Sequence, residues 1–494
     1  MTSEVKADEE TEDADAQTTE AVTGSEATGE TTTPDASLPT KLRSRAPTVE
    51  DLLDDPRFVV GLLATILQGY AAARIYGGLP AGSWPMLRDS AQMEYVGWYV
   101  AEGNRLYVDV WQVKPPLSFE LMGVFALVTG GNVTLYHTLN LLATSGALVG
   151  GTVLAAAIVL EMTGDELGAV VGGLGVFALP TYYWRTLIGF KPKYFVVFFG
   201  LLLIWFVLRE RPLRAGIAGG IAVGFWQLAV VFPVVGLVAI LNRGDRSGAR
   251  RFVAGVAGVG AVVLLPVVWW GAVPAMVAEA VLTPLLGTEG ATVGDRLRLG
   301  LRLLSGGGVP GVGETIPVAL LGLAGYAGSL AGDRGDREWI LVAVVGWFTL
   351  VLLLFDLDFY PDLFAWFAMV SIGAGLAVGR GSGDARRALA GAVLVMAVFS
   401  VLTLGGLGTG QPGVPQTGAY DVSTDFTLTQ PLNDTERQYV FWNRVDTGSC
   451  RSFVGGTQAA LIETANLGSP GQPYWEVPCG RFSPVWDAVV GKYT

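Results

Sequence analysis

Lys114, Lys191 and Lys193 are three of only six lysines in 494 residues, and all three fall in short polar breaks between apolar stretches. Lys114 closes a segment that opens with Arg88-Asp89-Ser90, passes Glu94 and Asp109, and ends Lys114-Pro115-Pro116-Leu117. Lys191 and Lys193 flank Pro192, just after Tyr182-Tyr183-Trp184-Arg185. A carboxylate at a membrane boundary can take a proton from a hydroxyl or hold a cation. A lysine ammonium is a compact charge suited to phosphate. Such carboxylates and cations at one membrane face point to chemistry on a phosphate-bearing lipid.

Each group also has a plainer reading. Residues 84–95 could form an amphipathic helix in the interface plane that holds Asp89 at the headgroup level, or Asp89 is a solvated loop acid. Pro115 and Pro116 suit the first turn of a helix and start one at Leu117. That fixes Lys114 at the boundary, to meet a phosphate or to snorkel. Arg185, Lys191 and Lys193 bind an anion if their loop is external and are topology signals if it is cytoplasmic. Tyr182, Tyr183 and Trp184 read as an interfacial aromatic belt. Asp356, Asp358 and Asp362, with Tyr360 among them, either face the same cavity or form a charged loop.

The elements that must carry these residues are membrane helices. The chain is 51% hydrophobic and 15% charged, where soluble domains carry about a quarter charged residues, so it reads as an all-α polytopic membrane protein. Its net charge of −12, with few lysines, resembles a halophile's surface. One histidine and two cysteines are too few for a zinc site, so any metal would be a hard cation such as Mg or Mn on oxygen. Cys450 and Cys479 could pair if the tail is extracytoplasmic. No Walker A motif, Ser-His-Asp set or nucleotide-binding glycine fingerprint stands out, and no nucleic-acid partner is expected.

Residues 1–57 read as a disordered acidic cytoplasmic tail and 58–405 as the membrane domain, with an outer loop at 79–116. Residues 406–494 read as a small extracytoplasmic domain. Apolar runs long enough for roughly 30 Å of hydrocarbon lie near 58–78, 138–160, 215–241, 252–270, 339–355 and 388–405. Shorter ones lie near 117–131, 167–183, 194–208, 315–331 and 363–379, about 11–13 helices in all. Arginine clusters at 209–214, 243–251, 334–337 and 380–387 mark cytoplasmic loops. Two of them flank 215–241, which should therefore cross twice or re-enter, with Gly219-Gly220, Gly224 and Phe225-Trp226-Gln227 offering a place for a break. Parity between residues 117 and 194 stays open. Sequons at Asn132 and Asn433 agree weakly with this orientation.

The order of these parts resembles the GT-C superfamily of polyprenyl-phosphate-sugar glycosyltransferases, of the protein O-mannosyltransferase and aminoarabinose transferase type. The matching residues are Asp89, Gly103 to Tyr107, Lys114-Pro115-Pro116-Leu117, Gly224 to Gln227 and Tyr360-Pro361. With the acidic composition, the member most resembled is an archaeal dolichyl-phosphate-mannose mannosyltransferase of haloarchaeal S-layer glycoprotein assembly. The resemblance implies a catalytic Asp89, with Glu94 or Asp109 as a second acid. It implies donor-phosphate binding by Lys114, Arg185, Lys191 and Lys193, and a substrate cavity lined by Tyr107, Gln227, Asp358 and Tyr360. The partners implied are a dolichyl- or polyprenyl-phosphate sugar, a glycan or glycoprotein acceptor and membrane lipid. Metal dependence is open, because Asp89 is followed by Ser90 where the family often has a second acid. A lipid-linked-sugar flippase, another transporter or a scaffold are the competing classes; the near charge-free apolar runs favour an enzyme working at the boundary.

Overall fold

Helix starts are written locally in the sequence. Asp55 accepts a hydrogen bond from the Arg57 backbone N–H at 2.9 Å and Pro56 fills the first turn, so α1 runs Pro56–Tyr76. The computed structural model describes residues 52–77, 88–108, 110, 112–130, 132–282, 284, 292–305, 315–331, 337–355, 357, 360–403, 443–447, 450–454 and 473–476, with Asp89, Tyr360 and the strands described by backbone alone.

Beyond α1 come α2 (Arg88–Ala101), α3 (Leu117–Val128), α4 (Val133–Thr163) and α5 (Glu166–Leu174), which a 3-10 turn (Gly175–Ala178) continues. Next are α6 (Pro180–Trp184), α7 (Pro192–Leu208), α8 (Pro212–Phe225), α9 (Val231–Asn242) and α10 (Arg246–Trp269). Short α11 (Val273–Met276) runs into a π-helical turn, Val277–Leu282. Last come α12 (Val293–Leu304), α13 (Ile316–Ala331), α14 (Trp339–Leu354), α15 (Leu363–Arg380) and α16 (Gly383–Thr403). Five of them, α1, α4, α10, α15 and α16, are long and apolar enough to cross a membrane. In the tail, β1 (Asn443–Thr447), β2 (Cys450–Val454) and β3 (Pro473–Glu476) form an antiparallel sheet in that order. Residues 1–51, Cys479 and the Asn433 sequon lie outside the described residues.

The connections sort into two ends. At one end Arg209 pairs with Glu161 at 2.7 Å, Arg386 with Asp165 and Arg380 with Glu338, while the Arg243 guanidinium donates to the Val207 carbonyl at 2.9 Å. Arg57, at the start of α1, lies within electrostatic reach of Glu161. The other ends of the same helices meet one another: Tyr76 donates to the Leu187 carbonyl, Tyr183 to that of Ser400, and Lys193 to Asp362, each at 2.6 Å. We call these the arginine face and the site face.

The expected break in 215–241 is present. α8 ends at Phe225, Trp226 is extended (φ −157°, ψ 125°), a 3-10 turn spans Gln227–Val230, and α9 returns to the arginine face. The segment 117–131 departs from its reading as a span. α3 has 12 residues, as does α9, which reaches the arginine face, so the packing partners of α3 rather than its length decide. It packs instead along α2, where a methyl group at Gly97 would strike Met122. Leu117 meets Gly224 at the site-face end of α8, and the first turn of α4 returns to α2 through Tyr136 and His137. Both ends of α3 thus stay on the site face, which settles the parity: α4 and α5 make one round trip, and residues 185–193 share a face with α2.

Small residues let the helix backbones touch, as in membrane bundles generally. A methyl at Gly325 would land on the Gly373 carbonyl, and one at Gly373 on the Gly322 carbonyl, where α13 crosses α15. We expect Gly373→Val to destabilise the bundle by at least the 1–3 kcal/mol typical of overpacking, read as a lower thermal midpoint in detergent. An unchanged midpoint would show that the two helices can part freely.

Candidate active site

α2 carries the first acids. Asp89 occupies its first turn, on the site face. Glu94, one turn later, is 3% exposed and spends both carboxylate oxygens on protein. Oε2 lies 2.8 Å from Nδ1 of His137 at the start of α4, and Oε1 accepts the Phe190 backbone N–H at 2.8 Å. The Glu94 carbonyl also accepts the Tyr136 hydroxyl at 2.5 Å. Glu94, expected as a second catalytic acid, is therefore placed as a brace between α2, α4 and the loop before α7. The described structure gives that loop no room to drift: Gly189 has φ +125° against the Ser90 side chain, so only glycine fits there.

The braced loop holds the second cationic group. Arg185, Lys191 and Lys193 are all more than nine-tenths buried. Such charges are almost never buried unless an anion meets them. Lys193 donates to Asp362 Oδ1 at 2.6 Å and lies 4.6 Å above the Trp226 ring, so much of its charge is already answered within the protein. The Arg185 guanidinium lies 5.8 Å from the Trp184 ring centroid. The neighbouring aromatics are not an interfacial belt. Tyr182 packs edge-on against Tyr194 and Phe364 at 5.3 and 5.2 Å, and Tyr183 and Trp184 are fully buried. They form the floor on which the loop rests.

The backbone of Gln112-Val113-Lys114 is held from three directions. Tyr107, whose φ of +67° is rare for a non-glycine residue, donates its hydroxyl to the Lys114 carbonyl at 2.6 Å. Burial, with the Glu279 and Glu120 carboxylates nearby, pushes the Tyr107 hydroxyl well above its ordinary range, so it stays a donor. The Gln227 amide reaches the Val113 carbonyl at 3.3 Å from the α8–α9 break. Glu279, in the π-helical turn, accepts the Gln112 N–H at 2.8 Å. Single π-turns often mark functional sites, and Glu279, 1% exposed, is a site-face acid that its apolar sequence context hides. The Gln227 amide oxygen is buried without a hydrogen-bond partner among the described residues. Asp109 and Asp358 lie outside the described residues, and Tyr360 opens a short 3-10 turn before α15.

The structure therefore brings Asp89, Glu94, Tyr107, Lys114, Arg185, Lys191, Lys193, Gln227 and Asp362 to one face. His137 and Glu279 escaped sequence reasoning. His137 sits in an apolar helix 43 positions from its partner, with no local signal. Among the described residues no three His, Cys, Asp or Glu side chains converge. Glu94, Glu279 and Asp362 are each met by protein donors, while Glu120 Oε1 is buried without a hydrogen-bond partner among the described residues.

This helical fold, with cations and acids gathered at one end, is that of the GT-C class of polyprenyl-phosphate-sugar glycosyltransferases. It resembles ArnT from Cupriavidus metallidurans, solved bound to undecaprenyl phosphate, with a TM-score of 0.50 at 14% identity, covering 71% of this chain and 77% of that one. Residues 103–265 match the DolP-mannose mannosyltransferase family. A dolichol phosphate-mannose mannosyltransferase of Haloferax volcanii is 32% identical over 333 residues, 66% of this chain and 71% of that protein. The chain belongs to the dolichol phosphate-mannose mannosyltransferase family. It is a multi-pass membrane enzyme that transfers mannose from a polyprenyl phosphate.

Leaving a buried hydrogen-bonding group without its partner costs about 1–3 kcal/mol, and the Glu94 carboxylate serves two such groups. Glu94→Ala should lower the thermal midpoint sharply, and Glu94→Gln, which can still accept from Phe190 N–H, by less. Both should retain measurable transfer in proportion to folded protein. A stable Glu94→Gln protein with no transfer at all would instead make Glu94 a catalytic acid or base.

Proposed function

We propose that the enzyme moves mannose from dolichyl phosphate to a hydroxyl of a glycan or glycoprotein on the outer face of the membrane, as one step of surface-glycoprotein assembly. One observation carries the reading: the buried cations Arg185 and Lys191 sit in a loop that Glu94 fastens to the helix bearing Asp89. The proposed base and the proposed phosphate-binding groups are thereby carried on elements that are fastened together.

Asp89 takes the proton from the acceptor hydroxyl. The freed oxygen attacks the sugar's anomeric carbon from the side opposite the phosphate, and the carbon–oxygen bond to dolichyl phosphate breaks with inversion. Lys114, Arg185 and Lys191 meet the negative charge that gathers on the leaving phosphate. Fixed charges of this kind need little reorganisation during the reaction, and losing one such donor typically costs about 10²–10³ in rate. Gln227, with its unsatisfied amide oxygen, is placed to accept from a substrate hydroxyl. Lys193, paired with Asp362, shapes the pocket rather than adding a full charge to it.

Asp89→Asn is expected to abolish transfer of labelled mannose from dolichyl phosphate mannose while the protein still inserts and folds. Lys191→Met should lower turnover by about 10²–10³. Full activity in a folded Asp89→Asn protein would sink this assignment of the base.

The outer-face orientation rests on the positive-inside tendency, because Arg209, Arg243, Arg380 and Arg386 gather at the end opposite the site. With both native cysteines replaced, a cysteine at exposed Glu102 should react with an impermeant maleimide on intact cells, and one at exposed Arg387 only after lysis. The reverse pattern would put the site in the cytoplasm.

A further inference from the structure

Helix α12 is built in three faces. Val293, Leu297 and Leu301, one turn apart, form a half-exposed apolar stripe. Arg298 and Arg302 lie on a polar side, with the Arg298 side chain 86% exposed. The third face is buried: Arg296, Leu303 and Leu304, with Gly300 one turn from Arg296 and seated on Leu357. Leu357 belongs to the loop that leads to Asp362 and its partner Lys193, so this face looks toward the site end of the bundle.

Arg296 is the anomaly on that buried face. It is 5% exposed, its Nε has no hydrogen-bond partner, and the described residues offer its side chain neither an ion pair nor a hydrogen bond. The nearest acid in sequence, Asp295, is taken. It accepts from the Thr292 hydroxyl at 2.6 Å to cap the helix and lies 3.8 Å from Arg298. An arginine almost wholly withdrawn into the protein, its Nε without a partner among the described residues, is a costly arrangement unless an anion meets it. Arginine's planar fork is also the group best matched to phosphate oxygens. An apolar stripe beside it calls for an anion with a hydrocarbon tail.

We propose that Arg296 anchors a binding site for a phosphate carried on a lipid, with the Val293–Leu297–Leu301 stripe against the lipid chain. Two lipids carry such a group, the dolichyl phosphate of the reaction and an anionic phospholipid of the bilayer. The first of these rests on the transferase reading above.

The test uses the full-length protein in neutral phosphatidylcholine nanodiscs, with dolichyl phosphate or phosphatidylglycerol added as separate probes. Thermal stabilisation and bound lipid, by native mass spectrometry, are the readouts. Arg296→Gln should leave the midpoint in neutral lipid equal to or above the parent's, because an unanswered charge has gone. Its affinity for one of the probes should fall about ten- to a hundred-fold. Arg296→Lys should recover part of that loss, and Arg298→Gln should behave as the parent. Loss for dolichyl phosphate assigns the site to the donor, and loss for phosphatidylglycerol alone assigns it to a membrane lipid. Undiminished stabilisation by both probes would overturn the proposal. So would a midpoint in neutral lipid well below the parent's, which would mark Arg296 as a structural arginine. Neither readout requires catalysis, so an active Asp89→Asn enzyme would remove the proposed base without touching this result.

Discussion

The organisation of the site depends on one carboxylate. An ionised or proton-sharing group in apolar surroundings must have each oxygen satisfied, and Glu94 achieves this only by drawing in groups 43 and 96 positions away. Those contacts hold the start of α4 and the loop before α7 against α2. The Phe190 contact lies one residue from Lys191, so it also sets how that lysine's backbone sits relative to the helix that bears Asp89. The brace is a structural use of a carboxyl group, distinct from the chemistry that the aspartate one turn earlier could perform.

Much of the bundle was legible because it is governed by local rules. Asp55-Pro56, Asp165 and Asp245 start helices by capping, and Pro192 and Pro212 fill first turns. The Trp226 break followed from arginines on both sides of a stretch too long for one crossing and too short for two full ones. Hydropathy alone did not place α3, a mostly apolar 12-residue helix that carries Ser118 and Glu120. What makes it a surface-parallel partner of α2 is the absence of a side chain at Gly97, visible only once the helices are packed. Tyr182 to Trp184 were misread for a related reason. Aromatic residues near a membrane boundary satisfy the same composition rule whether they face lipid or a protein floor.

The site itself was legible at its loops and illegible in its helices. Lys114 and Lys191 stand out because lysine is rare in this chain, and Arg185 because it lies a few residues before Lys191. Glu279 and His137 sit inside apolar runs, where a single polar residue carries no periodic signal. Their role appears only in the hydrogen bonds they make to Gln112 and Glu94. The family match begins at residue 103, so it takes in the cations and leaves the α2 acids to be argued from structure.

The pairing of Lys193 with Asp362 bears on what happens after the chemistry. Charges that steady a departing phosphate also hold it once it has departed, so each additional unanswered cation would slow the exchange of spent carrier for fresh donor. With Lys193 committed to Asp362 and the Trp226 face, the proposed phosphate site would grip its by-product with one full charge fewer. In a cycle that must release a long-chain lipid back into the bilayer, that restraint governs throughput as much as the strength of the remaining cations does.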